Sequence, residues 1–193
     1  MTPRHPTPPG PSMQQYRSHS WQAVGVAGGP AGAEHRGWQG VALWVGLMAA
    51  MAVVGTLATS QAGSFYASLQ RPTWAPPAWL FGPVWTAFYI LMAGAAVLVH
   101  RRLRARPQAL AALRLYALAL LPNALWSWTF FRWHWGAAAL AVIATLWLLL
   151  LATTLAFRRV RPASAALMVP VLLWVGFAGA LNLALLRLNP GML

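Results

Sequence analysis

The sequence predicts an all-α polytopic membrane protein, a five-transmembrane-helix bundle. Three observations predict it. Hydrophobic residues make up 59% of the 193 and charged residues 8%, a balance that a water-soluble fold of this size does not easily accommodate. Five runs, 41–62, 79–99, 110–131, 136–157 and 163–188, reach the roughly 20 apolar residues needed to cross a bilayer core. The connectors between them are too short to hold a soluble domain, and the arginines gather at the borders of the runs.

Residues 1–38 are rich in Pro, Gly, Ser, Gln and His and offer little to bury, so a disordered N-terminal tail is expected, followed by a transmembrane domain over 39–193. The first span, "VALWVGLMAAMAVVGTLATS", begins too far into the chain and runs too long for a cleaved signal peptide. Its many small residues suit close helix packing in lipid. The connector "QAGSFYASLQRPTWAPPAW" mixes turn formers with aromatics and is expected on the outer surface. Spans 3 and 5 each carry a mid-helix proline and an asparagine, Pro122 with Asn123 and Pro170 with Asn182. Such prolines predict kinks, because each removes a backbone hydrogen bond that neighbours must replace. Span 4 is nearly featureless.

All fourteen basic residues are arginine. With five spans, the side of the N-terminus collects Arg4, Arg17, Arg36, Arg101, Arg102, Arg104, Arg106, Arg114, Arg158, Arg159 and Arg161, and the other side Arg71, Arg132 and Arg187. Arginine accumulates in short cytoplasmic loops, which predicts a cytoplasmic N-terminus and an outer C-terminus, in a bacterial cell membrane. The net charge of +13 is best explained by anionic lipid headgroups rather than nucleic acid, because no soluble domain gathers the arginines on one face.

Glu34 in the tail is the only acidic residue. Proton relays, ion coupling and metal-assisted hydrolysis lean on intramembrane carboxylates, so an ion-driven pump or a membrane hydrolase is not expected. Cysteine is absent, which removes thiolate chemistry. His100 and His134 fall at helix ends without a second ligand, so no metal site and no required cofactor are expected.

The chemistry that remains is aromatic. Trp74, Trp79, Trp133 and Trp135 read as interfacial belt residues. Trp85, Trp126 and Trp174 lie further into helices that carry a kink or an amide. Flat rings around a shared cavity offer stacking to a flat, largely apolar ligand, and each indole N–H can donate one hydrogen bond. Tight helix packing is the competing role for each ring. Asn123 and Asn182 either bond across helices or orient a polar edge of that ligand.

These residues form a pattern. Phe65, Tyr66, Leu69, Arg71, Pro72, Trp74, Pro76, Pro77, Trp79, Phe81, Gly82, Pro83, Val84, Trp85, Tyr89 and Met92 come first, then Tyr116, Asn123, Trp126, Ser127, Phe130 and Phe131, then Pro170, Trp174, Phe177, Ala178, Leu181, Asn182 and Asn189. The three motifs, on three different spans, resemble those of the tryptophan-rich sensory protein and translocator protein (TspO/MBR) family, the peripheral benzodiazepine receptor family.

The resemblance implies a five-helix bundle, usually homodimeric, around a cavity closed by the loop after span 1. It implies binding of protoporphyrin IX or haem as ligand rather than as a required cofactor. Carried over by position, the ligand-binding residues would be Trp79, Phe81, Trp85, Phe88, Tyr89, Asn123, Trp126, Trp174, Phe177, Ala178 and Leu181. The prolines before span 2 would stiffen its entry, with the tryptophans framing the pocket mouth. The implied role is a tetrapyrrole-linked receptor in sensing or transport. The alternatives are light-dependent porphyrin breakdown with Trp85 and Trp174 as redox-active rings, or passive porphyrin movement across the bilayer.

The chain departs from the family pattern in places. Ala119 replaces a frequent glutamine, Val171 a tyrosine, Phe65 a tryptophan, and Leu183 the tyrosine of the sterol motif, which weakens the expectation of sterol binding. Ala137, Ala141 and Thr145 form a small-residue spacing suited to a dimer face.

Overall fold

The computed structural model describes the backbone from residue 30, and the side chains from residue 38, through to residue 193. Residues 38–193 form one compact unit, and the regular elements among the described residues are all helical. The chain runs through α1 (Pro30–Ala58), α2 (Ala62–Ser68), a 3-10 turn (Ala78–Leu80), α3 (Phe81–His100), α4 (Gln108–Ser127), a π-helical turn (Trp128–Arg132), α5 (Gly136–Val160) and α6 (Pro162–Leu188). Five segments are long and apolar enough to cross a membrane: Trp38–Ala58, Ala78–His100, Gln108–Arg132, Gly136–Val160 and Pro162–Leu188. The protein is therefore an integral membrane protein whose solvent is the lipid bilayer. The expected tail overlaps α1 at residues 30–38, and the rest of it lies outside the described residues.

Helices α4, α5 and α6 pack against one another in sequence, and α3 closes the group against α6. The short connections enforce this order, since a single residue, Arg161, separates α5 from α6, making them antiparallel neighbours. Alanines with little or no exposure, Ala95, Ala96, Ala109, Ala119 and Ala139, let backbones approach, and Tyr116, Phe157, Met92 and Leu146 fill the space between. Span 1 is the outlier. Only 17% of its most apolar stretch is buried, against 33–44% for the other four spans.

Span 1 is held chiefly at one end. Trp44 Nε1 donates to His100 Nδ1 at 3.3 Å, the Trp44 ring meets Tyr116 edge-on at 5.4 Å, and the Tyr116 hydroxyl donates to the Met48 sulfur at 3.3 Å. Gly40 lies so close to the His100 ring that a Cβ there would collide with it.

Pro122 and Pro170 sit inside helices that continue past them. The marked irregularity comes later, at the π-helical turn, where the Trp133 N–H donates to the Trp128 carbonyl at 2.9 Å. Such widened turns recur at functional sites because they re-aim the side chains around them. One addition to the sequence reading is α2. The connector expected as an outer-surface loop contains a helix, because Tyr66 has an apolar body to bury and is only 2% exposed.

Candidate functional site

The small residues along the C-terminal half of span 1 leave space rather than contact. Ala52, Gly55, Thr56 and Thr59 face Phe81, Gly82, Trp85, Thr86 and Tyr89 of α3 across a cavity of about 340 Å³. Ala62, Gly63 and Tyr66 of α2 close one end, and Trp126, Ser127 and Phe131 line the far wall. The volume falls in the range of small-molecule pockets. No charged side chain lines it, and three of its hydroxyls bond to their own helices: Thr56 to the Ala52 carbonyl at 2.8 Å, Thr59 to that of Gly55 at 2.8 Å and Thr86 to that of Gly82 at 3.0 Å. The surface presented inward is therefore largely aromatic and aliphatic.

Residues before span 2 hold the cover in place. Pro77 caps the 3-10 turn with an extended backbone, φ −66° and ψ 147°, which its ring favours. The Tyr66 hydroxyl donates to the Pro76 carbonyl at 3.0 Å, and the Tyr66 ring meets Phe81 edge-on at 5.5 Å. Arg71 lies over the Tyr66 ring with its guanidinium carbon 5.2 Å from the centroid. Burial raises the Tyr66 pKa, and Arg71 opposes that shift with a smaller effect, so the phenol remains a donor at neutral pH. Phe65 stacks on His134 at 3.9 Å, and His134 holds the left-handed φ of 58°, unusual for a residue with a side chain.

The eleven residues predicted for the site divide into groups. Phe81, Trp85, Tyr89 and Trp126 line the cavity. Ala178 and Leu181 line a void of about 10 Å³, separated from it by a wall that Tyr66, Phe81, Trp126 and Phe131 share between the two spaces. Phe88, Trp174 and Phe177 form a second layer of rings. Trp174 stands behind Phe81 at 6.0 Å and beside Phe88 at 5.9 Å, with Phe177 at 5.4 Å. Trp79 is 72% exposed and lies off the cavity. Asn123 is buried at 3% exposure, one helical turn from Trp126.

Two polar atoms of this set lack a hydrogen-bond partner, Asn123 Nδ2 and Trp174 Nε1. Both are buried donors, for which an unmade bond costs about 1–3 kcal/mol. Asn182, by contrast, is fully engaged. Its Oδ1 accepts from Trp126 Nε1 at 3.2 Å and its Nδ2 donates to the Gly136 carbonyl at 3.1 Å. Of the two mid-span amides, one ties helices together and one is left with donors free.

The model of the TspO/MBR family matches residues 44–188. The chain belongs to that family. It is 38% identical to the tryptophan-rich protein TspO of Chlorobaculum tepidum over 151 residues, covering 78% of this chain and 96% of that one. It is 38% identical to the tryptophan-rich sensory protein of Cereibacter sphaeroides over 150 residues, covering 76% and 92%. It is also 36% identical to the translocator protein of Homo sapiens over 131 residues, covering 66% and 76%.

This TspO/MBR chain has cavity residues that the motifs did not single out: Ala52, Gly55, Thr56 and Thr59 in span 1, and Ala62 and Gly63 in α2. A run of small residues in span 1 is their only trace in the sequence, and it reads equally as close packing. The glycines distinguish the two. A Cβ on Gly63 or Gly82 would meet nothing within 4 Å, and one on Gly55 only the Tyr89 hydroxyl, at 3.5 Å. These glycines border open space.

Proposed function

We propose that this TspO/MBR protein is a membrane receptor for planar tetrapyrroles such as protoporphyrin IX or haem, acting in sensing or transport. The observation that carries the reading is the 340 Å³ cavity walled by Phe81, Trp85, Tyr89, Trp126 and Phe131 under the Tyr66 cover. Aromatic faces stack on a flat apolar ring system, and edge-to-face walls leave π-surfaces toward the ligand. The orphan donor Trp174 Nε1 belongs to the ring packed against Phe81, and Asn123 Nδ2 to the residue one helical turn before Trp126. Each is a free donor near the wall for an acceptor edge of the ligand once Phe81 or Trp126 moves aside.

The N-terminus lies in the cytoplasm of a bacterial cell and the cavity cover faces outward, on the strength of the arginine asymmetry. The working unit is a homodimer. In its favour, Ala137, Ala141 and Thr145 all lie exposed on α5, and small residues at that spacing suit helix pairing in lipid.

The test is a titration of the full chain with protoporphyrin IX, followed by quenching of tryptophan emission. Saturable quenching that Trp85→Ala weakens at least tenfold is the expected result. Affinity unchanged in Trp85→Ala would end the assignment of this cavity. Repeating the titration under illumination separates binding from breakdown, since a simple receptor leaves the pigment spectrum unaltered.

A further inference from the structure

A second, larger hollow of about 480 Å³ runs down the lipid-facing seam between span 1 and α3. Its walls are aliphatic, formed by Val45, Ala49, Ile90 and Gly94 among others, and a single charged side chain, Arg101, stands at one end. At the other end it shares Ala52, Thr86 and Tyr89 with the aromatic cavity. From the geometry of this groove we infer that it is a binding site for one anionic phospholipid, with the headgroup phosphate on Arg101 and an acyl chain lying along the seam to Tyr89.

Three features favour this occupant. The first is shape. Arg101 to Thr86 is fifteen residues of helix, about 22 Å at 1.5 Å per residue, somewhat longer than the roughly 15 Å of one hydrocarbon leaflet. The groove therefore takes a chain from the surface to beyond the midplane.

The second is charge. Arg101 is exposed at the C-terminal cap of α3, and Arg102, Arg104 and Arg106 follow it with no Asp or Glu anywhere in residues 38–193. A guanidinium at the edge of hydrocarbon, with no acidic side chain among the described residues, suits a phosphate, since it pairs two N–H groups with two phosphate oxygens. A net negative headgroup is favoured over a zwitterionic one by the neighbouring arginines.

The third is the loose seating of span 1. Trp44, Met48 and Gly40 fasten one end of it to Tyr116 and His100. Elsewhere it turns Leu43, Val53 and Leu57 to lipid, each more than half exposed. The seam is thus left open by small residues on both sides rather than closed by interlocking side chains. A second copy of this chain is the rival occupant, and its helix would need a wide apolar face with no arginine at its end.

The experiment uses the full chain in nanodiscs of phosphatidylcholine containing a minor fraction of phosphatidylglycerol, released into mild detergent and weighed by native mass spectrometry. The lipid itself is the readout, so the outcome does not depend on what fills the aromatic cavity. The unmodified protein is expected to retain one phosphatidylglycerol. Arg101→Gln should lower that retention about tenfold, the factor that corresponds to roughly 1.4 kcal/mol for a hydrogen bond to a charged group. Ala49→Phe, which fills the groove while leaving every arginine in place, should lower it as well. Arg102→Gln, with the same loss of charge but off the groove, should retain the lipid. Equal losses in Arg101→Gln and Arg102→Gln would mean diffuse attraction to the membrane border, and full retention in Ala49→Phe would place the chain elsewhere. Release of the lipid by millimolar inorganic phosphate would reduce the site to a headgroup contact. Recovery of the protein as a dimer that Ala49→Phe dissociates would assign the groove to a second copy. Each of these four results overturns the inference.

Discussion

Asn189 clasps the backbone of Gln70 at both of its polar groups, accepting from the Gln70 N–H through Oδ1 at 2.8 Å and donating through Nδ2 to the Gln70 carbonyl at 2.9 Å. The amide imitates one rung of a β-ladder and fastens the segment after α2 to the end of α6. Asn189 is buried, and its Nδ2 also donates to the Leu185 carbonyl at 2.8 Å, so the amide is held in one orientation. Asn189→Ala removes both bonds to Gln70. Hydrogen exchange across residues 62–76 is expected to accelerate by about tenfold, matching the roughly 1–1.5 kcal/mol of a pair of partly solvated bonds, with the helical circular dichroism unchanged. Equal exchange in the two proteins would show that other contacts hold the cover.

The Tyr66 hydroxyl bonded to the Pro76 carbonyl is the second fastening of that cover. Tyr66→Phe is expected to speed exchange in α2 alone. The bond also predicts a pH dependence. Because burial raises the Tyr66 pKa above its ordinary 10.0, the folded protein holds the phenol proton more tightly than the unfolded chain. This contribution is complete below pH 10 and is lost as pH rises beyond it. Exchange in 62–68 should therefore quicken above pH 10 in the unmodified protein, and Tyr66→Phe should lack that pH-dependent step.

Trp126, Asn182 and Gly136 join three spans through one side-chain amide. Asn182→Leu leaves the indole N–H without a partner and removes the side-chain bond that ties α6 to the Gly136 carbonyl. Thermal unfolding in detergent is expected to show a loss of about 1–2 kcal/mol, the scale of interhelical hydrogen bonds in membranes. A melting temperature within one degree of the parent would deny the amide this role.

Asn123 should respond in the opposite sense. With Nδ2 unpartnered at 3% exposure, replacement by Leu removes an unmade bond, and the empty protein should gain about 1 kcal/mol or more. If that donor serves a ligand, the same variant binds protoporphyrin IX more weakly. Opposed changes in melting temperature and affinity are the expected pair. A gain in stability with affinity intact would make Asn123 a mere packing defect.

Gly63 tests the cavity from its rim. Its absent side chain points into open space, so Gly63→Phe plugs the hollow without disturbing a helix interface. Porphyrin affinity should fall by at least tenfold while Trp79→Ala, on a ring 72% exposed, stays within about twofold. Equal losses in both variants would argue for binding at the outer surface rather than inside.

Five spans, their order and the membrane as solvent were readable from composition and run length, because the cost of burying polar groups in hydrocarbon acts on every residue independently. Trp74, Trp133 and Trp135, expected with Trp79 at the interface, stay out of the core. All three are exposed, at 49%, 42% and 59%. The sorting of the remaining rings was not readable. Trp85 and Trp126 face the cavity, while Trp174 stands a layer behind it, because the wall is completed by Phe81 from another helix. Nor could the chain announce that Asn182 would find two partners and Asn123 none for its Nδ2. One-dimensional chemistry established that this is a tryptophan-rich five-span bundle of the TspO/MBR type. Packing alone chose which small residues of span 1 would leave a hollow and which amide would stay unpaired, since both depend on atoms brought together from distant parts of the chain.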